Sequence, residues 1–186
     1  LTEVLHRNGR VAAIRYEDAQ GGHELPAEAV VLAIGHSARD TFESLLAGGV
    51  TFVQKPFSIG ARIEHPQSLI NASQYGAAAG HPALGAADYK LALHLPSGRS
   101  VYTFCMCPGG TVVAAASELE SVVTNGMSCY ARDGINANSA LLVGIEPENF
   151  GSDHPLAGMD MQRKIEHAAF LAGGSDYTAP AQLVGD

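Results

Sequence analysis

The sequence contains no tryptophan, and aromatic residues make up only 6% of its 186 positions. A groove walled by stacked aromatic rings is therefore not expected. Cations are scarce as well: 11 Lys and Arg stand against 19 Asp and Glu, for a formal net charge of −8. Nucleic acid needs a basic patch and an anionic membrane needs basic clusters, so both partners are disfavoured. Three cysteines in no framework spacing argue against disulfide stapling and make a reducing cytoplasm the expected compartment. No apolar run approaches the roughly 18 residues of a membrane helix. The first residues lack the basic head and apolar stretch of a signal peptide. No metal spacing such as H-E-x-x-H is present, and neither is the G-x-S-x-G of a serine hydrolase.

What remains is a chain that can fold. With 46% hydrophobic and 16% charged residues it can bury a core, so disorder is excluded. Its 21 glycines and 9 prolines predict many turns. The length suits one domain or pieces of two. The sequence starts without Met, inside what reads as a structural unit, and the expectation is an internal fragment of a longer protein.

The pattern begins as a β-meander. Residues 1–6 alternate apolar and polar, Asn8-Gly9 is a hairpin signal, and 11–16 form a second strand. A polar turn at 18–22 leads to residues 29–34, a continuous apolar run. Such a run predicts an inner strand covered on both faces. A helix over 41–47 follows, closed by Gly48-Gly49. Beyond it, 51–53 and 57–64 read as extended, 66–73 as a short helix, and 89–95, 99–107 and 111–116 as strands. Residues 125–144 look mostly irregular and end in an apolar strand at 140–143. The clearest amphipathic helix is 159–172, apolar at Met161, Ile165, Ala168, Ala169 and Leu171, with Gly173-Gly174 stopping it. The expected fold is α/β to α+β. A meander occupies residues 1–47 and a mixed or antiparallel-sheet domain residues 48–186.

Residues 29–40, Ala-Val-Val-Leu-Ala-Ile-Gly-His-Ser-Ala-Arg-Asp, carry the sharpest signal. Gly35 at the end of a buried strand lets backbone approach a ligand, since it has no Cβ and reaches positive φ. An ordinary strand–helix junction capped by Ser37 or Asp40 explains the same residues. Arg62, Glu64 and His65 form a polar group near the end of a strand. There Arg62 could bind an anionic substrate and His65 could act as acid or base, or all three form a solvated face. Arg132, Asp133, Asn136 and Asn138 cluster in an irregular stretch, where both function and plain turns concentrate. Cys105 and Cys107 share a strand face. Their C-x-C spacing suits neither a redox pair nor, alone, a zinc site, so two small buried hydrophobes is the simpler reading.

The 29–40 stretch after a meander resembles the third part of the FAD-binding domain in two-dinucleotide-fold flavoproteins. It is more closely similar to the bacterial family of uncharacterised FAD-dependent dehydrogenases, also called NAD(FAD)-utilising dehydrogenases. Further matching stretches are Lys55-Pro56-Phe57-Ser58-Ile59-Gly60-Ala61-Arg62-Ile63-Glu64-His65-Pro66 and Thr103-Phe104-Cys105-Met106-Cys107-Pro108-Gly109-Gly110. Others are Tyr130-Ala131-Arg132-Asp133, Asn138-Ser139-Ala140 and the helix around Ile165-Glu166. The resemblance implies FAD as cofactor in the parent, not held tightly by this chain alone, with the Gly35, His36 and Ser37 backbone facing it and Arg39 reaching its phosphates. It also implies a small-molecule substrate met by Arg62, His65 and Arg132, with NAD(P)H a candidate electron donor. One departure stands out: the G-x-G-x-x-G turn that holds the pyrophosphate is absent. A non-catalytic binding module of a larger assembly is the competing reading.

Overall fold

The computed structural model describes residues 1–186. The chain divides into two units, Leu1–Gln54 with Ser152–Asp160, and Lys55–Gly151 with Met161–Asp186. In the first, β1 (Glu3–Arg7), β2 (Arg10–Asp18) and β3 (Gly21–Pro26) form an antiparallel meander in that order. The β1–β2 turn is the expected one: Asn8 and Gly9 both have positive φ, 53° and 73°, as a type I′ turn requires. Three cross-strand features tie the sheet. Arg15 reaches Glu3 at 2.7 Å and Glu24 at 3.2 Å. Tyr16 stacks on its partner His23 at 5.0 Å. Asp18 closes the second turn, accepting from Gln20 N at 2.8 Å and lying 2.9 Å from His23 Nε2.

The third strand is not where the apolar run lies. Residues 29–34 form no strand, and Val31 is 90% exposed and Leu32 46%. The physical reason is a missing neighbour. A run apolar on both faces is stable as a strand only between two strands and two layers, and this sheet ends at the pair Ala13↔Pro26. Residues 51–53 likewise form no strand. After the Gly35–Ser37 turn, α1 (Arg39–Ala47) starts from Ala38 with no side-chain cap, so neither Ser37 nor Asp40 is its N-cap. Leu45 anchors it, 2% exposed, and Gly49 leaves it with φ 87°.

The second unit is built on antiparallel sheet, as an α+β fold. Four strands lie in the order β4 (Phe57–Pro66), β9 (Asn136–Ile145), β6 (Ser100–Cys107), β5 (Ala92–His94). The central pairing is long: β4 matches β9 residue for residue from Phe57↔Ile145 to Pro66↔Asn136. A separate ribbon, β7 (Gly110–Ala115) with β8 (Val123–Ser128), pairs antiparallel. The β8 strand falls within a stretch whose Asn125-Gly126 reads as irregular. A short helix, α2 (Gln67–Tyr75), follows β4 directly. In β6 the ladder is broken between Phe104 and Cys107, and Cys105 there has φ 46°, the signature of a bulge.

The last helix, α3 (Ala157–Ala172), packs by a face other than the expected one. Ile165 and Leu171 are exposed at 41% and 57%, whereas Glu166 and Phe170 are buried. The loop at 118–122 accounts for this. Glu166 O accepts from Val122 N at 3.0 Å, His167 Nδ1 lies 2.8 Å from Glu120 O, and Arg163 grips Glu118 with Nε and Nη2. Polar contacts with a loop have overridden apolar spacing. No helix is long and apolar enough to cross a membrane.

Candidate functional site

Alternation along β4 sets the geometry of the second unit's site. Side chains two apart share a face, so Arg62 and Glu64 point to one side of the sheet and His65 to the other, beside Ile63. The register confirms it, placing Glu64 opposite Asn138 and Arg62 opposite Ala140. The polar group read as one cluster is therefore two, on opposite faces.

On the Arg62 face the β7–β8 ribbon lies over the sheet. Arg62 Nη1 donates a short hydrogen bond to Asn138 Oδ1 and a long one, 3.4 Å, to Cys105 O. No carboxylate pairs with this half-buried guanidinium. Glu64, two residues on, is committed elsewhere, accepting from Val112 N and Asn136 Nδ2, each at 2.7 Å. Asn138 is wholly buried and its Nδ2 has no partner. Gly126 sits directly above: a Cβ there would stand 2.3 Å from Arg62 Nη1 and Asn138 Oδ1 and 2.7 Å from Cys107 Sγ. Only glycine allows the ribbon so close, and Arg62, Asn138 and Cys107 thereby share one point.

On the opposite face His65 Nε2 lies 2.8 Å from the Tyr89 hydroxyl, with the rings 5.6 Å apart. Its Nδ1 is buried without a partner. Burial pushes the Tyr89 phenol above its ordinary value, and a hydrogen bond with Ser139 partly offsets that. Tyr89 was invisible in the sequence because it stands in a loop 24 residues away. The loop is pinned by Gln67, at the start of α2. Its Nε2 donates to Ala87 O and Asn71 Oδ1, and its Oε1 accepts from Gly109 N.

Arg132 is exposed, with φ 53°. It lines an open surface depression of about 560 Å³ together with Met106, Cys107, Cys129 and Tyr130. Its side chain has no hydrogen-bond or ion-pair partner. Of the sequence-expected residues, then, Arg62 reaches the back of Cys107 and Arg132 stands at the depression, while His65 belongs to the other face. Cys105 and Cys129 are exposed and Cys107 half-buried, so the expected pair of buried cysteines is not formed. No group of three or more His, Cys, Asp or Glu could hold a metal ion.

In the first unit, Gly35 has φ 67°, and a Cβ there would meet nothing within 4 Å. His36 and Ser37 are exposed in the same turn. Arg39 differs: it is 1% exposed and engaged in polar contacts. A guanidinium enclosed in this way steadies its unit and has no open path to a phosphate. Asp40 Oδ1 accepts from Thr41 N at 2.8 Å, so a carboxylate already occupies the start of α1.

Residues 56–186 match the family described as FAD-dependent protein, C-terminal domain-like. The chain belongs to that family. It is also 53% identical over 186 residues to an uncharacterized protein of Clostridium beijerinckii, a match that takes in 96% of this chain and 35% of that protein. The chain thus spans about a third of the length of the curated relative it matches. The Gly35 turn is open and left-handed.

Proposed function

We propose that this chain is one section of an FAD-dependent oxidoreductase, a dehydrogenase acting on a small molecule with NAD(P)H as a candidate electron donor. The match of residues 56–186 to an FAD-dependent family carries the reading. When bound, the flavin supplies the hydride chemistry. The exposed turn of Gly35, His36 and Ser37 would contact the cofactor through its backbone, and the second unit would present the substrate. Arg39 would act from within, fixing the start of α1 behind that turn.

His65 and Tyr89 are the pair suited to handling a proton. Both are titratable, they touch at 2.8 Å, and partial burial strengthens their coupling. Transfer of a hydride to or from a carbon bearing a hydroxyl or amine needs a proton moved at the heteroatom, and this pair can hold it at His65 Nε2 or the Tyr89 oxygen. Arg62 and Arg132 lie on the other face of the sheet and so do not meet the same small substrate as this pair.

The test uses the full-length parent. Purified protein should release FAD on denaturation, while residues 1–186 alone should not retain it through gel filtration. In the parent, His65→Gln should keep its flavin yet slow substrate-dependent flavin reduction by about 10²-fold, the lower end for loss of a general acid or base. A parent free of flavin would sink the oxidoreductase reading. An unchanged His65→Gln rate would remove His65 from the chemistry.

A further inference from the structure

The 560 Å³ depression beside Cys107 carries an inference of its own. One cation lines it and a second stands close by. Arg132 stands at its wall with an unpaired side chain. Arg62 lies behind Cys107, its Nη1 and the Cys107 sulfur both within 2.7 Å of the one point above Gly126. Arg62 has neutral partners only, an amide oxygen and a peptide carbonyl. The nearest acid on its strand, Glu64, accepts from two other donors and makes no ion pair with it. In a chain of net charge −8, a guanidinium without a carboxylate partner at this depression, with a second beyond Cys107, is a place where an anion can be met.

The wall that carries Arg132 is also fixed. A Cβ on Gly109 would stand 2.2 Å from Arg132 O, and one on Gly134 would stand 2.3 Å from Gly109 O. The two loops therefore press backbone on backbone. The Arg132 amide donates to Cys129 O at 3.0 Å, and the residue is held in the left-handed region, a conformation that persists in a bulky side chain when its surroundings impose it. Polar tip, sulfur floor and the apolar bodies of Met106 and Tyr130 complete the lining.

We infer that this depression binds a small organic anion, a carboxylate with a short apolar body, the carboxylate on Arg132 and the body against Met106 and Cys107. The volume suits a molecule of metabolite size. A planar guanidinium matches a carboxylate in two parallel hydrogen bonds. The site lies on the face opposite His65 and Tyr89, and the binding does not rest on the oxidoreductase reading.

Alkylation of the native full-length protein tests it, with iodoacetate as the anionic probe and iodoacetamide as its neutral counterpart. Mass spectrometry reports the rate at each cysteine. The ratio of iodoacetate to iodoacetamide rates should be several-fold higher at Cys107 than at Cys105, since the Arg132 guanidinium lines the same depression as Cys107 and favours the anion. Arg132→Gln should lower that ratio several-fold at Cys107, and Arg132→Lys should restore most of it. An equal ratio at both cysteines, a ratio unmoved by Arg132→Gln, or a Cys107 closed to both reagents would overturn the proposal. Flavin content is read separately, so a colourless protein that still prefers iodoacetate would sink the redox reading and leave the anion site standing.

Discussion

At the scale of single residues, the crowding around Gly126 is the sharpest constraint. Three atoms from two strands and a bulge meet above it, and one of them, Asn138 Oδ1, belongs to a side chain with no exposure at all. Arg62 and Cys107 can yield, being the ends of more mobile groups, but Asn138 cannot. Gly126→Ala should therefore cost about 1–3 kcal/mol, the usual range for overpacking, seen as a lowered denaturant midpoint at constant slope. A wild-type midpoint would mean that the ribbon can lift at no cost. The partnerless Asn138 Nδ2 is a second residue-level signal, since an unmet buried donor costs about 1–3 kcal/mol and marks a place where an acceptor is welcome.

Among the elements, the β2–β3 hairpin shows how a turn is held by charge. Hydrogen bonding from the Gln20 amide, then from His23, holds the Asp18 carboxyl below its usual range. A depressed folded value means that the ionised form stabilises the hairpin above the unfolded value of about 3.9. That contribution is lost as pH falls through the lower folded value. Asp18→Asn should weaken the hairpin near neutral pH, and the difference from wild type should shrink and vanish in acid. Amide exchange at Gln20 and His23 measures it. A difference that persists at low pH would assign the effect to something other than the carboxylate. Much at this scale was legible beforehand. Asn8-Gly9 announced its turn because few residues tolerate two positive φ values in succession. Strand alternation, applied strictly, also separates His65 from Arg62. What could not be read was long-range. The Tyr89 partner comes from a loop, β8 hides behind Asn125-Gly126, and α3 buries Glu166 because a loop at 118–122 supplies its partners. None of these leaves a periodic trace in the sequence.

For the molecule as a whole, the exposed apolar run at 29–34 is the outlying feature. Its apolar residues predict an inner third strand, but the run forms no strand and the third strand is Gly21–Pro26. Val31 at 90% exposure is a sticky surface in water. The double variant Val31→Asp, Leu32→Asp should raise the soluble yield of residues 1–186 and lower their binding of a hydrophobic dye. In the full-length parent the same change should lower the yield if the run is covered there. A parent indifferent to both charges would show that the run stays in solvent. The interlocked glycines at 109 and 134 have a different consequence. Neither loop can give way while the other stays, so the backbone that carries Arg132 has no play in it. Side chains on that backbone keep one starting point, and a substitution at either glycine would displace Arg132 as well.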